Sequence, residues 1–166
     1  MDVILFRHAK KGFMPYDDPD LSPEGMMQSE LLPLLVQKHH LPAPKALWAS
    51  EKIRTHQTFK GLSTALAIST TTRPELNLRA DFETQKIFQA RVRNLIDELT
   101  LSSYKHGANL CIYLCTHYDW IEESMGLIPC DRNLLTFEFS SWAPAQYIHF
   151  KVSADVWKFI KKGVQP

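Results

Sequence analysis

Near its start the chain carries the run Val3-Ile4-Leu5-Phe6-Arg7-His8-Ala9, in which four apolar residues end at an arginine–histidine pair. A short continuous apolar run predicts a strand that is buried on both faces of a sheet. A buried strand has no place for a cation and an imidazole, so we expect Arg7 and His8 to follow its carboxyl end. In open α/β sheets, ligands bind at that edge. The run therefore predicts both a central strand and the position of a site.

The chain of 166 residues has an ordinary composition, 45% apolar and 22% charged, with a net charge of +1. Length and composition predict one globular domain spanning residues 1–166. The balanced charge gives no reason to expect nucleic acid or a membrane surface as a partner. No apolar run reaches the ~20 residues of a membrane span, and no leader pattern follows Met1. We therefore expect a cytoplasmic protein with reduced cysteines.

Strand-like and helix-like patterns alternate along the chain, which predicts a three-layer α/β/α fold with a mostly parallel central sheet. Hydroxyl N-caps at Ser22 and Ser50 mark two helix starts. The predicted strands are residues 3–6, 46–49, 68–72, 110–115, 134–139 and 147–152, the last two as an antiparallel pair. The predicted helices are residues 22–39, 50–66, 84–101, 119–125 and 154–162.

Three of the predicted parallel strands lead into residues that can bind an anion. His8 follows the first strand, Arg54 lies in the opening turn of the helix after the second, and His117 follows the strand at 110–115. Together with Arg7 they would form a cationic pocket. Guanidinium groups bind phosphate oxygens bidentately and keep their charge, and the free amides of a helix start also attract anions. The arrangement predicts a phosphate-binding site.

Four motifs, taken in chain order, resemble those of the histidine phosphatase superfamily, which has the phosphoglycerate mutase-like fold. Residues 5–9 (Leu-Phe-Arg-His-Ala) are similar to its Arg-His-Gly signature, and residues 21–28 to its Leu-Thr/Ser-x-x-Gly-x-x-Gln helix start. Residues 49–58 are similar to its Ser-Ser-x-x-x-Arg-x-x-Gln-Thr segment, and residues 115–117 (Cys-Thr-His) to its later strand-end histidine. The resemblance covers residues 3 to about 120.

The resemblance implies a hydrolase that forms a covalent phosphohistidine on His8, which water then hydrolyses. Arg7, Arg54 and His117 would bind the phosphoryl oxygens and stabilise the charge of the transition state. The resemblance implies no metal ion and no other cofactor, because the arginines neutralise the phosphoryl charge. The expected substrate is a phosphorylated protein or a small phosphorylated metabolite.

Two residues depart from the family pattern. Ala9 replaces the usual glycine, and Leu78 stands where many members carry a glutamate that protonates the leaving oxygen. The second departure resembles the short SixA-type phosphohistidine phosphatases, which lack that glutamate. Cleaving a P–N bond to imidazole asks less of an acid than expelling an alkoxide does. Five carboxyl groups remain open as alternative proton donors: Asp18, Glu75, Asp81, Glu83 and Asp119.

Two other functions remain open at this point. A phosphoglycerate mutase-type phosphotransferase would need extra segments to shield its intermediate from water, and the chain lacks them. A phosphate-binding pseudoenzyme would account for the missing glutamate, although both histidines and both arginines are present. The segments 10–21 and 129–132 are expected to line the mouth of the site.

Overall fold

The computed structural model describes residues 1–163, except for the side chains of residues 106 and 108. Six strands form one sheet in the order β3-β2-β4-β1-β5-β6. They are β1 (Asp2–Arg7), β2 (Ala46–Ala49), β3 (Thr70–Thr72), β4 (Cys111–Thr116), β5 (Tyr147–Val152) and β6 (Trp157–Gly163). The first four are parallel to one another, and β5 and β6 continue the sheet in antiparallel fashion. The predicted α/β fold with a mostly parallel sheet is confirmed.

Five helices cover the two faces of the sheet or its loops: α1 (Pro23–Lys38), α2 (Ile53–Leu66), α3 (Gln85–His106), α4 (Tyr118–Met125) and α5 (Phe137–Ser140). The side chains of β1 alternate between two cores. Val3 and Leu5 pack with α3 and α4, while Ile4 and Phe6 pack with α1 and α2. This alternation explains why the strand is apolar at successive positions. Within residues 1–163, no helix is both long and apolar enough to cross a membrane.

The predicted strand at 134–139 is wrong. Leu134 and Phe139 are buried, but Leu135 and Phe137 are exposed, and the segment ends in the short helix α5. The side chain of Asn133 accepts a hydrogen bond from the amide of Leu135 at 3.0 Å. This contact closes a turn where a strand would have to stay extended.

The predicted helix at 154–162 is also wrong, because residues 157–163 form the edge strand β6. Ser153 and Val156 close the reversal between β5 and β6 through two hydrogen bonds. Gly163 lies flat against the ring of Tyr147, where a Cβ atom would come within 2.0 Å of the ring. β5 therefore pairs in antiparallel fashion with β6 on one side and with β1 on the other, and not with residues 134–139.

Candidate active site

Three parallel strands end side by side at one edge of the sheet. Arg7 and Thr116 are paired in the β1–β4 register, so His8 and His117 each come one residue later on neighbouring strands. The amide of His8 donates to the carbonyl of Thr116 at 2.9 Å. Ser50 directly follows β2, which lies on the other side of β4. The topology therefore brings two histidines and a serine to the carboxyl edge.

The His8 ring is buried, and its tautomer is fixed by the backbone. Its Nδ1 lies 2.7 Å from the carbonyl oxygen of Ala9. A carbonyl only accepts hydrogen bonds, so Nδ1 carries the proton and Nε2 keeps its lone pair. Burial, opposed by the Ala9 carbonyl and reinforced by the charges of Arg54, Arg7 and Lys11, lowers the pKa of His8 to about 4. At neutral pH the ring is uncharged and has a free lone pair on Nε2.

The His117 ring lies beside that of His8, with ring centroids 5.3 Å apart. Arg54 donates from Nη2 to Nδ1 of His117 at 3.2 Å, so the ring proton is on Nε2, 2.8 Å from the hydroxyl of Ser50. Burial, and then the charge of Arg54, hold the pKa of His117 far below its usual value of 6.5. The ring is therefore neutral and held from both sides.

Two guanidinium groups supply the positive charge of the site, that of Arg54 buried and that of Arg7 partly buried. Burial lowers the pKa of both Arg7 and Arg54 from the usual 12.5, yet an arginine stays charged. Arg7 donates to the carbonyl of Trp142 and lies over the ring of Tyr118 at 5.3 Å. The Nε atoms of both arginines are buried without a hydrogen-bond partner in the protein. Buried donors without partners are rare, and on a guanidinium they make these two side chains candidates for binding an anion.

The loop after His8 is held by four of the motif residues, whose individual roles were not predicted. The amide of Ala9 donates to Thr58, that of Lys10 to Gln28, and that of Leu21 to Gln57, at 2.8–2.9 Å. Gly25 lies against the backbone of Lys10, where a Cβ atom would come within 2.0 Å of the carbonyl oxygen. The spacing of these motif residues was visible in the sequence, but their shared partner was not. These residues position the segment whose Ala9 carbonyl fixes the tautomer of His8.

Of the five candidate proton donors, Asp18 contacts the cluster directly. Its carboxylate lies 3.2 Å from Nη1 of Arg54. Asp119 accepts the amide of Arg79 at 2.7 Å, and its charge raises the pKa of Arg54, which places it near the cluster.

Two of the other candidates are held in ion pairs away from the cluster. Glu75 pairs with Arg73, and Glu83 pairs with Arg91. These contacts lower the pKa of both glutamates, against the opposing effect of burial, which is the largest single influence on Glu75. Both therefore stay ionised and are poor proton donors.

A groove of about 620 Å³ adjoins the cluster, and Asp18 and Lys52 belong to its walls. The last candidate donor, Asp81, lines this groove, as does Leu78. Arg91 fixes this wall by donating to the carbonyls of Glu75, Asn77 and Leu78. The segment that carries Leu78, where many family members have a glutamate, is therefore fixed in the wall of the groove by hydrogen bonds from Arg91.

One of the two segments expected at the mouth lies elsewhere. Loop 10–21 is at the site, but the carbonyl of Pro129 accepts the amide of Trp157, and Asp131 contacts the same strand. Trp157 pairs with Val152, whose amide bonds the carbonyl of Met1 at the amino end of β1. Residues 129–132 are therefore at the opposite edge of the sheet. In the described part of the chain, no three His, Cys, Asp or Glu side chains are grouped to hold a metal ion.

Comparison with known proteins agrees with this geometry. The model of the histidine phosphatase superfamily (branch 1) matches residues 3–80, which include three of the four motifs. The structure of the protein histidine phosphatase SixA complexed with tungstate superposes with a TM-score of 0.75, at 15% identity, and covers 98% of this chain and 96% of that one. This is a histidine phosphatase fold. The resemblance seen in the motifs is confirmed.

Two further phosphatase structures superpose over nearly their whole length. The ecdysone phosphate phosphatase from Bombix mori, in complex with tungstate, has a TM-score of 0.76 at 12% identity and covers 99% of this chain and 93% of that one. The phosphoserine phosphatase from Entamoeba histolytica, in complex with 3-phosphoglyceric acid, has a TM-score of 0.70 at 13% identity, with 99% and 97% covered. No curated protein sequence matches the chain significantly.

Proposed function

We propose that this protein is a phosphatase that transfers a phosphoryl group to His8 and then to water. The observation that carries the proposal is the state of the His8 ring. Its Nδ1 donates to the Ala9 carbonyl, which leaves Nε2 as a neutral, buried nucleophile beside two arginines with unpartnered Nε atoms. The catalytic unit we propose is the whole chain, residues 1–166, as one histidine phosphatase domain.

In the first step Nε2 of His8 attacks phosphorus, a P–N bond forms, and the bond from phosphorus to the leaving atom breaks. Arg7 and Arg54 stabilise the charge on the phosphoryl oxygens. His117 can turn a nitrogen toward the same oxygens by exchanging its bond with Arg54 or Ser50. In the second step water attacks the phosphohistidine, His8 leaves as a neutral imidazole, and phosphate is released.

The substrate we propose is a protein phosphohistidine, with a small phosphorylated metabolite as the alternative. Leu78 lines the groove in place of a glutamate, and Glu75 and Glu83 are committed to arginines. Such a site suits a leaving group that is easily expelled. The large exposed side chains of Phe13, Tyr16 and Phe82, about 90% accessible, stand on the loops beside the groove and suit a protein surface. The neighbouring folds include a protein histidine phosphatase and phosphatases of small molecules.

The test is steady-state hydrolysis of p-nitrophenyl phosphate and of a phosphohistidine-bearing protein. Wild-type protein should release phosphate from both, faster from the phosphohistidine. The His8→Ala variant should lose at least about 10³-fold in kcat/KM. His56→Ala is a matched control, because His56 lies on α2 near the site but bonds only Thr72 among the described residues. It should keep its rate.

Three results would contradict the proposal. Hydrolysis by His8→Ala at the wild-type rate would remove His8 from the mechanism. Tight binding of phosphate by the wild type without release from either substrate would identify a pseudoenzyme. Transfer to an added phosphoglycerate in preference to water would identify a phosphotransferase.

A further inference from the structure

The loop between β1 and α1 folds back on itself and returns a carboxylate to the site. Lys11 and Leu21 form an antiparallel bridge, and the amide of Gly12 donates to the carbonyl of Asp20 at 2.7 Å. The amide of Asp20 in turn donates to the carbonyl of Met14 at 3.0 Å. The tip of this hairpin-like loop, residues 13–17, is exposed. Asp18 comes directly after the tip and points back toward Arg54.

Both oxygens of the Asp18 carboxylate are engaged with groups that an incoming phosphoryl group would use. Oδ1 accepts from Nη1 of Arg54 at 3.2 Å, and Oδ2 accepts from the amide of Ile53, the first residue of α2, at 3.1 Å. Arg54 is 94% buried, while the Asp18 side chain is 34% exposed. The carboxylate is therefore hydrogen-bonded to two donors at the site. Because the Asp18 side chain is partly exposed, it can also move away from these donors into solvent.

A carboxylate and a phosphoryl dianion compete for these donors because both need the same two kinds of N–H group. The Nε atoms of Arg54 and Arg7 are buried without hydrogen-bond partners. A dianion bound to Arg54 would also lie close to the negative charge of Asp18, which is 3.2 Å from Nη1 of the same arginine, and like charges this close repel. The contact between Asp18 and Arg54 therefore disfavours binding of a phosphoryl group, and a bound phosphoryl group disfavours this contact.

We propose that Asp18 is an internal competitor for the phosphoryl site, whose carboxylate holds Arg54 and the start of α2 until a phosphoryl group displaces it. The proposal rests on the proposed function in one respect, that Arg54 binds the phosphoryl group. Asp18 then determines specificity, because weakly charged anions fail to displace it and a phosphoryl dianion succeeds. Its withdrawal also moves the loop tip that carries Phe13 and Tyr16.

The test compares Asp18→Asn with Asp17→Asn by calorimetric titration with inorganic phosphate. Both substitutions remove one negative charge from the same loop, but Asp17 is exposed and no hydrogen bond to its side chain is recorded among the described residues. The asparagine at 18 keeps an oxygen for the Ile53 amide. We expect Asp18→Asn to bind phosphate about tenfold more tightly than the wild type, because a charge-assisted contact no longer has to be broken. Asp17→Asn should change the affinity less than about twofold.

Unchanged or weaker phosphate binding by Asp18→Asn would overturn the proposal. A fall in kcat with unchanged phosphate affinity would also overturn it, and would make Asp18 the proton donor instead. These outcomes are separate from failure of the proposed function, in which the wild type binds phosphate but releases none from any substrate.

Hydrogen exchange of the wild type gives a second test that needs no variant. Saturation with phosphate should increase exchange at amides in residues 12–20, because displacement of Asp18 loosens the hairpin-like loop. Slower exchange across this loop on phosphate binding would contradict the proposal.

Discussion

A buried histidine lies near each end of the central strand β1, and the charged groups around the two histidines differ. At the amino end, Nε2 of His149 lies 2.8 Å from the carboxylate of Asp2. Lys151 lies 3.5 Å from the same carboxylate, and the amino group of Met1 donates to the carbonyl of Val152. The two buried charges at this end, the Met1 amino group and the Asp2 carboxylate, are matched, while the side chain of Lys151 is half exposed. Such a cluster contributes to stability, although Nδ1 of His149 is buried without a hydrogen-bond partner.

The carboxyl end has an excess of positive charge. Arg7 and Arg54 lie among two neutral histidines, and Asp18 is the one carboxylate bonded to them among the described residues. Burying charge without a partner costs free energy, so a fold keeps such an arrangement only where a ligand supplies the balance. The imbalance of buried charge, and not burial of histidine as such, therefore distinguishes the candidate site from the amino end of β1.

Among the changes that test this comparison, Arg54→Gln should have the largest effect. The change removes a charge that we assign to the phosphoryl group, so kcat/KM should fall about 10²–10³-fold. Arg73→Gln is the matched control, because Arg73 is compensated by Glu75 and Glu98 and lies over Trp48 at 4.3 Å. It should lower the melting temperature and spare the kinetics. The opposite pattern, with Arg54→Gln less stable and equally active, would make Arg54 structural.

The amino-terminal cluster should respond in the opposite way. Asp2→Asn removes the charged acceptor of the hydrogen bond from His149 and the counter-charge near Lys151, so the free energy of unfolding should fall by about 1–3 kcal/mol. Thermal unfolding should show a melting temperature lower by about 2–4 °C for each kcal/mol lost. The value of kcat/KM should stay at the wild-type level. If Asp2→Asn lost activity while its stability stayed at the wild-type level, the amino-terminal cluster would not be purely structural, and the distinction between the two ends would be wrong.

A smaller effect is expected from pH. Because the pKa of His8 is lowered to about 4 in the folded protein, the unfolded chain binds more protons between about pH 6.5 and 4. Stability therefore rises with pH through this window and is lost on acidification. Between pH 7 and pH 5, the melting temperature of the wild type should fall by more than the melting temperature of His8→Ala. After correction for protonation of the substrate's phosphoryl group, whose second pKa is about 6, the kcat/KM of the wild type should hold to about pH 5 and fall toward pH 4. An acid limb centred near pH 6.5 would show an unperturbed His8.

The smallest effect is expected from Ala9→Gly, which restores the residue usual in the family. Ala9 is buried with Leu21 and Ala145, and it is not among the described residues with positive φ. The alanine is therefore unstrained, and glycine should lower stability by about 1 kcal/mol or less. Thermal unfolding and steady-state rates of the variant measure this directly. A large gain in kcat would show that the methyl group displaces the nucleophile.

Much of the fold could be predicted from the sequence because local patterns and packing agree along the first half of the chain. The apolar run at 3–6 is buried on both faces, and Ser22 caps α1 through the amide of Gly25 as its Ser-Pro-Glu pattern predicts. The end of the chain was harder to predict. Trp157 and Phe159 alternate as in a strand, but the charged residues between them equally suit an amphipathic helix. Pairing with β5, which decides the matter, is a contact that the spacing does not reveal.

The site shows the same division. The positions of His8, Arg54 and His117 could be predicted because parallel strands end at one edge. Which carboxylate would reach them could not, because Asp18 arrives through a loop whose path depends on the bridge between Lys11 and Leu21. The tautomer of His8 likewise depends on where the Ala9 carbonyl points. Such features depend on three-dimensional geometry.

The central claim is that Nε2 of His8 accepts the phosphoryl group, and trapping the phosphorylated protein tests it most directly. The protein is mixed with a phosphohistidine-bearing donor, quenched in alkali during turnover, and mapped by mass spectrometry of its peptides. The account predicts a single phosphoryl group on His8, attached at Nε2, since Nδ1 is engaged with Ala9. Turnover without a trapped phosphohistidine, or a phosphoryl group on another residue, would contradict it.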